Sequence, residues 1–260
     1  MLFRSVSQSR YHTIVDRIKL NEQLNQKLED TAQSIYKEWF VNFEFPDENG
    51  KPYKSNGGEM VYCEELDMEI PKGWGACQIQ NICEIGSSRR IFESEYVSSG
   101  VPFYRGKEIS LKKEGKPITD LLCITEERYK EIQEKNVLPK RNDILLTAVG
   151  TIGVSYLVQN EKFYFKDGNL IWFKNFSSRY LNLYIYDFMQ SQKFDDMISE
   201  ITIGSTQSAI TITTIGQQTI ILPSNDTLKE YEALSYRLHK QEQIIKKENS
   251  MLYQLKVKIF

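Results

Sequence analysis

Apolar side chains fall into three regimes along this chain. Over residues 11–42, Ile14, Ile18, Leu24, Leu28, Thr31, Ile35 and Trp39 recur at spacings near three and four among polar neighbours, with no Gly or Pro. That period predicts an amphipathic helix of roughly 30 residues. Leu24, Leu28, Thr31, Ile35 and Glu38 put part of it on a heptad seam. At the other end, Leu234, Leu238, Gln241, Ile245, Glu248, Leu252, Leu255 and Ile259 alternate steps of four and three. Such spacing, free of Gly and Pro, predicts a coiled-coil helix, with Pro223 and Ser224 before its start. Each stripe needs a partner, and the simplest partners are each other or their equivalents in a second chain.

The middle of the chain has a different rhythm. A turn-rich connector follows the first helix, from Glu44 through Gly58. Its Asp47-Glu48-Asn49-Gly50 faintly resembles a calcium loop, but the later ligands are missing, so a plain turn is expected. Short β-branched and aromatic runs at 143–147, 154–158, 162–165 and 169–173 predict strands. Residues 125–135 and 178–201 predict helices. The expected class is α+β, a globular domain with a β core flanked by two long helices forming an antiparallel coiled-coil spacer. The expected divisions are 1–45, 46–223 and 224–260.

Composition narrows the picture. An apolar content of 40% argues for a folded chain. No apolar run is long enough to cross a bilayer, and residues 1–10 show no secretory pattern, which leads to an expected cytoplasmic location. Cys63, Cys77, Cys83 and Cys123 are dispersed and show no zinc-ligand spacing, so reduced thiols and no metal are expected. The net charge of −2 does not favour nucleic-acid binding unless positive charge is gathered on one face.

One stretch gathers it locally. Arg89, Arg90, Arg105, Lys107, Lys112, Lys113 and Lys116 follow Ser87 and Ser88, and bases outnumber acids from Gly86 to Lys116. Either this is a solvated surface, or it contacts phosphates, with an arginine able to bind guanine bidentately. Lys140, Arg141, Lys162 and Lys166 are further candidates. Gly150-Thr151-Ile152-Gly153 lies between two predicted strands, after Thr147. It is a turn using glycine freedom, or a loop whose amides and Thr151 hydroxyl also touch phosphate. Gly204-Ser205-Thr206-Gln207 follows a predicted helix and carries the same two readings. Ser205 lacks a nucleophile-elbow context, and the histidines, His12 and His239, lie in the helical zones. No catalytic carboxylate or nucleophile constellation emerges.

Several segments, in order, resemble the specificity subunit of Type I restriction-modification enzymes. Leu20 to Glu29 and Ile35 to Phe45 resemble the first of that family's helical spacers. Ile70-Pro71-Lys72-Gly73-Trp74 resembles the lead-in to its second target-recognition domain. Val101 to Ile109, Asn142 to Thr147 with Gly150 to Gly153, Gly204 to Gln207, and Ile220-Ile221-Leu222-Pro223 are similar to later family signatures. Asn142 stands where the family usually has Gly, and the acid-glutamine pattern after the final Pro is absent.

The resemblance implies a half-length, noncatalytic subunit with one target-recognition domain, reading one half of a bipartite site in double-stranded DNA. It implies methyltransferase subunits and a restriction/translocase subunit as partners. S-adenosylmethionine, ATP and Mg²⁺ would belong to those partners, with no cofactor in this chain. Candidate DNA-binding residues are Ser88, Arg89, Arg90, Arg105, Lys107, Thr147, Thr151, Lys166, Ser205, Thr206 and Gln207. Candidate partner or homodimer contacts are Leu24, Leu28, Ile35, Trp39, Leu234, Leu238, Ile245, Leu252, Leu255 and Ile259, with Trp39 leaning to a core role. The rival is a coiled-coil scaffold that binds protein without DNA specificity.

Overall fold

The computed structural model of the chain describes residues 2–135, 137–203 and 209–258. Helix α1 (Leu2–Phe40) opens it, about 58 Å long at 1.5 Å per residue. It starts earlier than the apolar period suggests. It stops where Phe43 takes a left-handed backbone (φ 62) and the Glu44 amide donates to the Glu38 carbonyl at 2.7 Å, which satisfies one of the carbonyls left open by the last turn. Phe43 is buried, which holds this conformation against its steric cost.

The connector ends in a hairpin of β1 (Met60–Cys63) and β2 (Met68–Pro71). Ahead of it, the Asp47 carboxylate accepts the amides of Asn49 and Lys51, so the calcium-like segment is a side-chain-closed turn. Then follow β3 (Gly75–Gln78), β4 (Glu84–Gly86), β5 (Val101–Tyr104), α2 (Gly106–Lys113), β6 (Leu122–Ile124), α3 (Glu126–Glu134), β7 (Ile144–Thr147), β8 (Ser155–Leu157), β9 (Tyr164–Phe165) and β10 (Leu170–Lys174). The chain finishes with α4 (Leu181–Phe188), α5 (Gln192–Ile203), α6 (Ile212–Gly216), β11 (Thr219–Leu222) and α7 (Asn225–Lys258). The helix expected over 178–201 is two helices, broken at Met189–Ser191, where the Ser191 hydroxyl turns back to the Phe188 carbonyl.

The central sheet has the order β4-β10-β7-β8, antiparallel throughout. Ile144, Leu146, Ile171 and Phe173 face one hydrophobic core; Leu145, Leu170 and Trp172 face another. Because both faces are covered, these strands read as unbroken apolar runs without alternation. A second sheet, β6-β5-β9, pairs β5 with β9 in parallel. Strand β11 pairs with β3, tying the end of the domain to its beginning. Asn142 has φ 70. Asn tolerates that left-handed position better than other side-chain-bearing residues, which accounts for its standing in for Gly.

Helices α1 and α7 pair with each other, antiparallel. Arg17 bridges Glu248 at 2.9 Å, Asn21 bonds Asn249 at 2.8 Å, and Glu29 bridges Lys246 at 3.1 Å. The buried seam is not the one its apolar residues suggest. It runs through Ile18, Asn21, Asn25, Ala32 and Tyr36 of α1 and Leu228, Tyr231, Ser235, Glu242, Ile245 and Asn249 of α7. Leu24, Leu234 and Leu255 are 42%, 41% and 49% exposed, while Leu28, Ile35, Leu238 and Leu252 are half-buried. Ile245 alone of the expected α7 residues is buried in the seam, and Ile259 lies outside the described residues. Of the two roles open to Trp39, the core one toward which it leans is the one seen: it is 7% exposed and packs on Tyr231. The seam is misplaced from sequence because it is unusually polar, and its polar members find buried partners.

Those partners form a network that joins domain to spacer. Asp187 of α4 is fully buried and accepts hydrogen bonds from Tyr231 (2.6 Å) and Ser235 (2.7 Å). It also pairs with His239 Nε2 at 2.7 Å, while His239 Nδ1 meets Glu242 at 3.1 Å. Glu242 continues to Lys246. Burial alone would lower the pKa of His239, but the two carboxylates outweigh it and raise it to about 10. The ring is therefore a cation between two anions.

Candidate nucleic-acid interface

Loops far apart in sequence meet along one edge of the domain. The Ser88 hydroxyl donates to the Phe165 carbonyl at 2.7 Å, and the Arg89 amide donates to the Tyr164 hydroxyl at 2.7 Å. Those bonds lock the segment after β4 onto β9. The Lys166 amide donates to the Tyr104 carbonyl at 2.8 Å, placing Lys166 beside the β5–α2 junction. The Ala148 amide reaches the Asn169 carbonyl at 2.9 Å, which sets the β7–β8 loop against the β9–β10 turn. Beyond it, Val149 pairs with Ala209. The first residue of α2, Gly106, packs against Thr147 and Val149, where a Cβ would sit 3.6 Å from the Thr147 methyl. The rim thus collects Ser88, Arg89, Arg90, Arg105, Lys107, Thr151 and Lys166.

Their availability differs. Arg89 and Lys107 are exposed and make no ion pair among the described residues. Arg90 is 70% exposed and bridges Asp167 at 2.9 Å. Lys166 lies 3.4 Å from the Tyr96 hydroxyl. Arg105 is engaged with the carboxylate of Glu108, which is 1% exposed: Nε and Nη2 reach its two oxygens at 3.0 and 2.7 Å, and the Arg105 amide adds a third bond at 2.9 Å. Burial would raise the Glu108 carboxyl; the Arg105 bonds outweigh it and hold it below the usual carboxylate range.

Thr147 is corrected from a DNA contact to a loop organiser. It is fully buried, its hydroxyl donates to the Thr151 carbonyl, and it accepts the Val154 amide at 2.9 Å. Gly150 and Gly153 take φ 80 and 89; a Cβ would meet nothing within 4 Å at Gly150 and only an ordinary 3.9 Å contact with Ile198 at Gly153, so their need is conformational. That places Thr151 at an exposed loop tip. Ser205, Thr206 and Gln207 lie outside the described residues.

The basic stretch of residues 86–116 does not act as one surface. Arg89, Arg90, Arg105 and Lys107 sit on the rim, but α2 runs about 12 Å away from it. Lys112, Lys113 and Lys116 emerge at its far end, against α7. Helical direction decides this, and composition alone does not carry that information. Asp143 has an architectural role that sequence inspection did not assign: it accepts the Trp172 indole N–H at 2.8 Å and the Lys140 amide at 2.8 Å. Among the described residues, no cluster of His, Cys, Asp and Glu is arranged to hold a metal ion, and no helix is long and apolar enough to cross a membrane.

An α+β domain with a basic loop rim, carried on an antiparallel helical hairpin, defines a recognition module on a spacer. The chain belongs to the Type I restriction modification DNA specificity domain family, whose sequence model matches residues 71–252. It is 30% identical over 145 residues to S.HindORF215P of Haemophilus influenzae, assigned as a type I restriction enzyme specificity subunit, covering 55% of this chain and 34% of that protein. It is 30% identical over 127 residues to the MjaIX specificity subunit of Methanocaldococcus jannaschii, covering 47% and 27%. The fold is similar to that of the S subunit of a type I restriction-modification system from M. genitalium, with a TM-score of 0.57 at 13% identity, covering 98% of this chain and 57% of that one. The matched region spans about a third of the curated relatives' length.

Proposed function

We propose that this chain reads one half of a bipartite target in double-stranded DNA, as the noncatalytic specificity component of a Type I restriction-modification complex. One observation carries the reading. A chain of net charge −2 folds so that Arg89, Arg90, Arg105, Lys107 and Lys166 converge on one loop rim, with Asp167 and Glu108 as the acids paired there. Arg89 and Lys107, exposed and without an ion pair among the described residues, are the residues best placed to meet phosphates or a guanine edge. Arg105 and Glu108 form a stiff bidentate unit that sets the shape of the rim. Methyl transfer and cleavage fall to methyltransferase and restriction/translocase subunits, which bring S-adenosylmethionine, ATP and Mg²⁺.

The hairpin supplies the spacing between half-sites. Its seam is closed within the chain, yet one flank carries a second apolar stripe. Leu20 and Leu24 follow Arg17 at helical spacing, and Ile244, Met251 and Leu255 share the face of Glu248. The Arg17–Glu248 bridge puts both sets on the same side of the pair, and all five side chains are exposed. A homodimer through this flank would set two recognition domains apart and favour a symmetric target.

Fluorescence anisotropy on the assembled complex tests the recognition reading. Arg89→Ala and Lys107→Ala should each weaken target binding. A residue that contacts phosphate should lower the salt slope by about one. A residue that reads a base should instead cost about 1–3 kcal/mol of sequence discrimination. Unchanged affinity and unchanged preference in both variants would overturn it.

A further inference from the structure

A cleft of about 640 Å³ opens between the recognition domain and α7, at the far end of α2 from the loop rim. Lys112, Lys113 and Lys116 line it from the domain; Lys240, Lys246 and Lys247 line it from α7. Arg141 adds a seventh cation and the His239 imidazolium an eighth, whereas Glu161 and Glu242 are the acids in its wall. Neighbouring carboxylates engage some of these: Lys112 lies 3.8 Å from Glu161, Lys116 pairs with Glu114, and Lys246 pairs with Glu29 and Glu242. Lys113, Lys240 and Arg141 make no ion pair among the described residues, although the Glu29, Glu242 and Asp187 charges act on Lys113 from further away. Lys113 bonds the neutral amide of Gln190 and lies 5.4 Å from the Tyr186 ring centroid, Lys240 lies over Tyr236, and Arg141 reaches the Tyr236 hydroxyl at 3.5 Å. Lys247 is exposed and makes no ion pair among the described residues. The inner wall is aromatic and aliphatic, with Tyr156, Leu157 and Tyr186.

We propose that this cleft is a binding site for a phosphate-bearing ligand, gripped from one side by the recognition domain and from the other by the spacer helix. Cations outnumber acids in the wall, so their mutual repulsion is only partly offset, and a multiply charged anion would relieve the remainder. Lys113 registers the strain: burial, followed by the nearby Lys246 charge, pushes its pKa down to about 8. The volume falls within the range of small-molecule sites, about 300–1,000 Å³. Lys112 and Lys113 sit at the end of α2, and Lys246 leads into the buried Glu242–His239–Asp187 network. An occupant would therefore brace the domain against its spacer without touching the rim.

The test is calorimetric titration of the intact chain with pyrophosphate and, separately, with a nucleoside triphosphate, at about 0.1 M salt. The expected result is saturable binding at about 1 mM or tighter. Lys113→Gln and Lys247→Gln should weaken it at least about tenfold, and Arg89→Ala should leave it unchanged. Lys247 is exposed, so its substitution leaves the packing intact should Lys113→Gln misfold. Tighter binding of the triphosphate would assign the apolar wall to a nucleoside. Equal binding would assign the site to phosphate alone. Displacement of pyrophosphate by a duplex without the target sequence would identify DNA backbone as the source. Absence of saturable binding, or equal affinity in Lys247→Gln, would overturn the site.

Discussion

Replacing His239 with Leu probes the joint between domain and spacer. Asp187 has no exposed surface, and its carboxylate accepts from Tyr231, Ser235 and the imidazolium at 2.6–2.7 Å. Without the ring, the carboxylate keeps two neutral donors, and Glu242 keeps Lys246. Breaking a buried pair by removing one member costs about 3–5 kcal/mol, because the other charge stays buried. At about 2–4 °C per kcal/mol for a chain of this size, Tm should fall by about 10 °C. A pH signature separates charge from packing. The His239 pKa is raised from 6.5 to about 10 on folding, so its stabilisation is complete below pH 6.5 and is lost as pH rises toward 10. Lys113, lowered to about 8, works in the opposite sense above that pH, so the clean window lies between the two values. Urea unfolding across about pH 6.5–8 should show wild-type stability falling by about 2 kcal/mol, at 1.36 kcal/mol per unit. His239→Leu should flatten that slope. A Tm within about 2 °C of wild type, or an unchanged slope in the variant, would refute the reasoning.

Other substitutions separate architecture from contact. Arg105→Ala should destabilise the chain by about 1–3 kcal/mol in urea melts, since it strips the buried Glu108 carboxylate of its cation. Thr147→Val removes the hydroxyl that closes the 147–154 loop. It should cost about 1–3 kcal/mol and weaken DNA binding by anisotropy, although no charge is lost. Leu24→Glu combined with Met251→Glu should leave the melting curve of the chain nearly unchanged, both side chains being exposed. By light scattering it should convert any dimer to monomer, and a dimer that persists would place the interface elsewhere.

Much of this molecule was legible in its residues. The two long helices followed from 3.6- and 3.5-residue periods, because burial of one stripe leaves a regular trace whatever the partner. The Gly150–Gly153 turn followed from the need for positive φ, a local requirement. The order of short motifs, from Ile70 to Pro223, pointed to the family that the chain belongs to. The strands of the central sheet were readable as apolar runs because both of their faces are covered.

Tertiary structure alone decided the rest. Which face of each helix is buried depended on Asn21, Ser235, His239 and Glu242 finding partners, so Leu24 and Leu255 were left outside. The fate of Thr147 turned on a hydrogen bond across its own loop, which residue type does not announce. The basic stretch of residues 86–116 was split between two surfaces because a helix of eight residues carries its ends about 12 Å apart. Sequence records which charges are near one another along the chain. Only the packing of distant segments determines which of them share a surface, since that depends on contacts made across 77 or more residues, as between Arg90 and Asp167.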